Sequence, residues 1–144
     1  MANSLSNKMK FLLASKVIDF ANDSFKIILM ASGFTFNKDT HHSYADVSAN
    51  ELATGNGYTQ NTKTLGTADV TEDDDNDRCE VTWDNVTWTA SGGSIGPTPG
   101  AIIFDDTVTT PTADPIIGYI DFGGNQTQVD GGVATIANPK FRLV

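Results

Sequence analysis

Only one cysteine, Cys79, occurs among the 144 residues. A lone thiol cannot close an intrachain disulfide, so nothing in the fold depends on an oxidising compartment. Its neighbours Arg78 and Glu80 offer no metal-site spacing, and a buried or half-buried strand thiol is the expectation. Histidine is almost as scarce. His41 and His42 are adjacent, and neighbours in an extended chain point to opposite faces, so the two cannot easily share a metal ion. No Cys or carboxylate lies at a usual zinc spacing from them. His41 therefore reads as a hydrogen-bonding residue that orders a loop. Long apolar runs are missing too, which excludes a transmembrane helix. Lys8 and Lys10 ahead of Phe11-Leu12-Leu13-Ala14-Ser15 trace the outline of a signal peptide. Lys16 interrupts the apolar stretch too early, so no secretory signal and no membrane partner are expected.

Catalytic signatures are equally sparse. There is no G-x-S-x-G elbow and no suggested Cys–His pairing. Neither a P-loop nor a dinucleotide fingerprint occurs, and Gly92-Gly93-Ser94-Ile95-Gly96 runs into prolines instead of opening a helix. The expectation is a non-enzymatic protein with no cofactor.

What the chain does hold is strand and turn chemistry. Hydrophobic residues make up 39% and charged residues 19%, a balance that supports a globular core. Thr, Gly, Asn, Asp and Ser are abundant, which favours strands and turns over helices. The length fits one domain, residues 1–144. The net charge is −9, unevenly placed. Residues 1–30 carry four lysines against two aspartates, and all the negative excess lies beyond them. An acidic body repels phosphate backbones, so nucleic acid is not an expected partner. A basic leading segment on an acidic body suits docking onto a larger acidic assembly.

Residues 4–20 show the one helical pattern, with Met9, Leu12, Leu13, Val17 and Phe20 recurring at spacings of three and four. Ser4, Ser6 or Asn7 can cap its start and Asn22-Asp23 its end, giving an N-terminal helical segment 1–22. From residue 23 the pattern is β. Phe25 to Met30 is a largely apolar strand, expected to lie centrally in its sheet. A long loop follows from Ala31 to about Asn56, a kind of segment that often makes contacts. Gly57-Tyr58-Thr59 with Lys63-Thr64-Leu65 suggests a strand, and Thr67–Val70 and Cys79–Trp83 a hairpin across the acidic turn 72–77. Val86–Thr89, Ala101–Phe104, Ile116–Phe122, Val133–Ile136 and Phe141–Val144 complete the strands. Ser91–Gly100 reads as a Gly/Pro loop, and Gly123-Gly124-Asn125 as a turn. Some eight or nine short strands point to an antiparallel β-sandwich or Greek-key barrel with one N-terminal α-helix.

Two clusters invite a ligand reading. Asp73, Asp75 and Asp77 alternate like the opening of a calcium loop, but an EF-hand would need Gly and Glu where Arg78 and Asp84 stand. An exposed acidic turn is the expectation. Trp83 and Trp88, with Tyr58, could form a carbohydrate-binding platform if exposed. Burial in the core is the better reading. The glycosylation sequons at Asn85 and Asn125 are read as chance.

An ordered series of phrases carries a resemblance. Asp39-Thr40-His41 is followed by Tyr44-Ala45-Asp46-Val47, Ala49-Asn50-Glu51, Gly57-Tyr58-Thr59 and Lys63-Thr64-Leu65. Then come Asn76-Asp77-Arg78, Asp84-Asn85-Val86-Thr87-Trp88-Thr89 and Pro115-Ile116-Ile117-Gly118-Tyr119-Ile120-Asp121-Phe122-Gly123. The series resembles a widespread family of small tailed-phage virion structural proteins and spans nearly the whole chain. It departs from the family between Ser91 and Gly100, where an alternating strand would run into an apolar one. The resemblance implies a place in the virion without catalytic activity, with capsid decoration or cement as the first role. The major capsid protein would be the partner, with self-association, a trimer being one arrangement. A tail or head–tail component is the second role, and a carbohydrate- or receptor-binding module the third. Lys8, Lys10, Lys16, His41 and Tyr44 are the expected partner contacts.

Overall fold

A computed structural model describes residues 3–144, and Met1 and Ala2 of the expected helical segment lie outside the described residues. The fold is mainly β, with 43% strand and 13% helix, in antiparallel sheets that do not close into a barrel. The elements are β1 (Asn3–Leu5), α1 (Asn7–Ala14), β2 (Phe25–Leu29), α2 (Tyr44–Val47), β3 (Asp69–Asp73), β4 (Arg78–Thr82), β5 (Val86–Thr89), β6 (Ile95–Asp105), β7 (Ile116–Gln128), β8 (Val133–Ile136) and β9 (Lys140–Leu143). They form a four-stranded sheet ordered β1-β7-β6-β2, a three-stranded sheet β3-β4-β9 and the pair β5-β8.

β2 explains the architecture. Its run Phe25-Lys26-Ile27-Ile28-Leu29 alternates between two cores because both faces of the four-stranded sheet are covered. Phe25, Ile27 and Leu29 join Ala101, Ile103 and Ile117 against α1 and the smaller sheets, with Met9, Leu12, Val81, Trp83, Trp88 and Phe141. Ile28 and Met30 turn the other way with Ile102, Phe104, Ile116 and Tyr119, beneath Phe34, Phe36, Tyr44 and Val47 of the long loop. The loop is therefore the lid of a second core. Between Ile103↔Gly118 and Phe104↔Ile116, β7 advances two residues while β6 advances one. This bulge puts Ile117 and Gly118 in succession on the side of Phe141, while Ile116 and Tyr119 face the second core. Gly118 then sits where a Cβ would strike the Phe141 ring and the Ser4 carbonyl, so β1 and β9 close in on bare backbone.

Several boundaries differ from the sequence reading. The N-terminal segment is not one helix over 4–20. Its start pairs with β7 as β1, Ser6 is the N-cap, and α1 ends at Ala14. Lys16 takes a left-handed φ of 60°. Its N–H reaches Leu13 O at 3.1 Å, and the Val17 N–H reaches Leu12 O at 2.9 Å. That pairing is a Schellman stop with lysine in the position glycine usually holds. Ile18 and Phe20 are buried nonetheless, from irregular chain. A second short helix, α2, lies inside the expected loop.

Ser91–Gly100 is not wholly a loop, because β6 begins at Ile95 and runs through both prolines. Register shifts flank Thr98, so the missing proline donors fall at irregular pairings. Gly123-Gly124-Asn125 lies inside β7, yet the turn chemistry is real. Between Gly100↔Asp121 and Thr98↔Gln126, β7 advances five residues against two, so three extra residues bulge out there. Residues 57–65 form isolated bridges and no strand: Gly55 pairs with Tyr58, and Thr64 with Lys26 along the edge of β2.

Candidate partner-contact face

The helix and the long loop, separate in sequence, are joined in space. Ser6 N–H donates to Ile117 O at 3.0 Å and Asn7 N–H to Lys38 O at 3.1 Å. Asn7 Nδ2 also donates to Asp39 Oδ1. The start of α1 is thus bolted to the tip of the loop, and both sit on the end of β7. The joined elements carry Lys8 and Lys10 on α1, Lys16 just beyond it, and Lys38 in the loop.

His41 organises that loop. Its N–H donates to Asn37 O at 2.9 Å, and its Nδ1 accepts the Asn37 N–H at 3.1 Å. Its ring stacks on Phe34 at 5.4 Å and lies 5.7 Å from Phe36. His42 and Ser43 donate their N–H groups to Asp46 Oδ2 at 2.9 and 3.0 Å. Burial works to raise the Asp46 pKa, but these donors outweigh it and hold the carboxyl below its ordinary value. The turn chemistry of 37–46 thus fixes the loop by side-chain-to-backbone bonds.

The base of the loop is held by Glu51, which is 4% exposed. Tyr44 Oη donates to its Oε2 at 2.7 Å. Tyr58 Oη and Asn61 N–H both donate to its Oε1 at 2.8 Å. Tyr58 Oη in turn accepts the Leu29 N–H at 2.9 Å, which ties the knot to β2. The Tyr44 ring stacks on Phe104 at 5.0 Å. Burial first, then the Glu51 carboxylate, pushes its hydroxyl up to about 12. His41 and Tyr44 are therefore half-buried, with their polar groups bonded inside the chain.

The lysines are placed differently. Lys10 and Lys16 are exposed and Lys8 half-exposed, and among the described residues none of the three makes a salt bridge. Lys8 Nζ lies 5.4 Å from the centre of the Phe11 ring, and Phe11 is 58% exposed. Phe11 is thus a solvent-facing aromatic with Lys8 lying over its ring. The sequence reading missed both Phe11 and Lys38. Phe11 stands off the Met9–Leu12–Leu13 stripe, which was the available signal, whereas Lys38 joins the helix only through the fold.

Other sequence-singled residues do not assemble into a ligand site. Trp83 is 1% and Trp88 4% exposed, and Tyr58 is buried, so the aromatic platform of a carbohydrate-binding module is missing from these three. Trp83 instead packs edge-on against Phe25 and Phe141. Asp73 accepts from Asn76 and from Arg78 Nε at 2.8 Å, closing the acidic hairpin. Among the described residues no three His, Cys, Asp or Glu side chains converge as metal ligands. Two surface clefts are open. One, of about 460 Å³, lies beside Trp88, Ile95 and Phe122. The other, of about 520 Å³, is walled by Phe34, Phe36, Tyr119 and Asp121. Searched against protein-family models, curated proteins and solved structures, the chain matches none.

Proposed function

We propose that this chain is a non-enzymatic structural protein of a tailed-phage particle, a decoration or cement protein that binds the outer capsid shell and bridges neighbouring capsomers. The observation that carries the reading is the ordered series of phrases from Asp39 to Gly123 and its resemblance to small virion proteins. The geometry supports it by giving those phrases a shared purpose. Asp39–His41, Tyr44–Val47 and Glu51 hold one long loop rigidly over the sheet and bolt it to α1. A contact surface held this way loses little conformational freedom on binding. Its free lysines and exposed Phe11 contrast with an otherwise acidic chain, which suits an acidic shell. Cementing needs buried area repeated over many sites and no catalytic group.

Copy number tests the reading. Quantitative mass spectrometry of purified virions should find the protein in simple proportion to the major capsid protein. A few dozen copies or fewer would move it to the tail or head–tail connector, and none would remove the virion reading. Replacing Lys8, Lys10 and Lys16 with glutamate, or Phe11 with serine, should weaken attachment to undecorated particles while leaving the thermal midpoint nearly unchanged. Normal attachment of both variants would mean that another face is the anchor.

A further inference from the structure

Asp105 closes β6 with a side chain that is 0% exposed. Its Oδ1 accepts the Thr107 N–H at 2.8 Å and the Val108 N–H at 3.1 Å, which shapes the turn after the strand. Its Oδ2 is also buried and has no donor among the described residues. A bare, ionised oxygen away from water is costly. A second acid, Asp23, lies beside it: the next residue, Ser24, is bonded to Thr107 and Asp106, and the Asp23 carboxyl is within hydrogen-bonding reach of Asp105. Asp23 is itself pinned, because its Oδ2 accepts the Asp19 N–H at 2.8 Å. Two facing carboxylates cannot both stay ionised in such a place. One proton between them converts repulsion into a strong O–H···O⁻ bond.

We propose that Asp105 and Asp23 share a single proton, and that this proton latches the segment between α1 and β2 onto the turn that follows β6. The proposal is independent of the virion role. The latch sits where three stretches of chain meet. Ser24 N–H donates to Thr107 Oγ1, Asp106 N–H to Ser24 O, and Asp105 N–H to Pro115 O. Among the described residues no salt bridge reaches Asp105 or Asp23. Lys26 of β2 is paired with Asp106 at 3.2 Å. Asp114, on the far side of the turn, is one more acid, pushed up by burial and by the charge of Asp106, and supplies no positive charge. Asp19, beside Asp23, is held ionised below its ordinary value by the Asn22 amide.

Burial first, then Asp23, raises the Asp105 carboxyl from 3.8 to about 7. The folded state thus holds this proton more tightly than the unfolded chain. Its stabilisation is full below about pH 4 and is lost as pH rises through about 7. The segment that loosens is the one between α1 and β2.

The test uses the purified full-length protein. Carbon-13 carboxyl NMR follows Asp105 and Asp23 directly, and thermal melts between pH 5 and 9 compare the wild type with Asp105→Asn. In the variant, the amide oxygen keeps both backbone bonds and the NH₂ donates permanently to Asp23. The Asp105 carbon should titrate near neutrality, and the wild-type midpoint should fall by about 5 °C or more from pH 5 to 8. Asp105→Asn should be flat over that range and melt above the wild type at pH 8. An Asp105 carbon that titrates near its ordinary value overturns the proposal. So does a variant that keeps the wild-type slope. Should the variant not fold, the wild-type titration decides by itself. A midpoint at pH 8 restored by calcium chloride, with an ordinary Asp105 titration, would mean a cation sits there instead.

Discussion

The two ends of β2 bury one carboxylate each, and they solve the same problem in opposite ways. At the Leu29 end, Glu51 meets two tyrosine hydroxyls and a backbone N–H, so its charge is answered by three donors. At the Phe25 end, Asp105 meets donors on one oxygen and none on the other, with a second acid, Asp23, beside it. Burial alone does not decide whether a carboxylate stays ionised, because the count and aim of its donors do. A third case lies between them. Glu80 of β4 is ringed by cations, with Lys140 at 2.7 Å and Arg78 at 3.1 Å. Lys140 first, then Arg78 and Arg142, holds its carboxyl below the ordinary range. Glu80 therefore contributes stability present above pH 4.5 that is lost as pH falls, whereas Asp105 loses stability as pH rises. Maximal stability is expected in the weakly acidic window between those two losses.

The largest effect should come from the well-donated end. Glu51→Ala strands the hydroxyls of Tyr44 and Tyr58 and the Asn61 N–H together, at a cost of about 4 kcal/mol by urea denaturation. The opposite sign is expected at the other end, where Asp105→Asn at pH 8 should gain on the order of 2 kcal/mol. If both substitutions destabilise equally at pH 8, the contrast between the two ends is gone. Tyr58→Phe falls next, at about 2 kcal/mol. It removes one donor to Glu51 and the acceptor of the buried Leu29 N–H.

Much of this was legible from residue pattern, and the failures have physical causes. The largely apolar run of β2 suggested a central strand, but β2 is the edge of the order β1-β7-β6-β2, and its apolar character comes instead from two covered faces, the loop over 31–56 being the second cover. The helix end was hidden because Lys16 occupies a left-handed position that glycine normally marks. The start of β6 was hidden because Gly96, Pro97 and Pro99 carry loop chemistry into a strand that tolerates them through register shifts. Gly123-Gly124 suggested a turn, but the chain continues as β7 there, and their positive φ values serve a bulge within the strand pair. The lysines of the N-terminal segment were visible as charge, whereas its union with the loop depends on Asn7 meeting Lys38 and Asp39 across more than thirty residues. Asp105 gave no signal at all. In Asp105-Asp106, beside a Thr/Pro-rich stretch, it reads as a loop acid, and only the three-dimensional approach of Asp23 sets it apart.

The finest distinction is within the Glu51 knot. Tyr44 and Tyr58 each donate one hydroxyl to Glu51, but Tyr58 is buried and doubly bonded, whereas Tyr44 is half-buried and singly bonded. Tyr44→Phe keeps the ring on Phe104 and removes one charge-assisted bond, that to Glu51 Oε2. The expected cost is about 1 kcal/mol at neutral pH. Alkaline pH separates this bond from mere packing. The Tyr44 hydroxyl rises from 10.0 to about 12 in the fold, so the folded state holds that proton more tightly. Its contribution is intact below pH 10 and drains away as pH climbs toward 12. Wild type and Tyr44→Phe should therefore converge in stability as the pH is raised from 9 to 11, measured by urea midpoint at each pH. Parallel curves would mean that the ring on Phe104, and not the hydroxyl on Glu51, holds this corner of the loop.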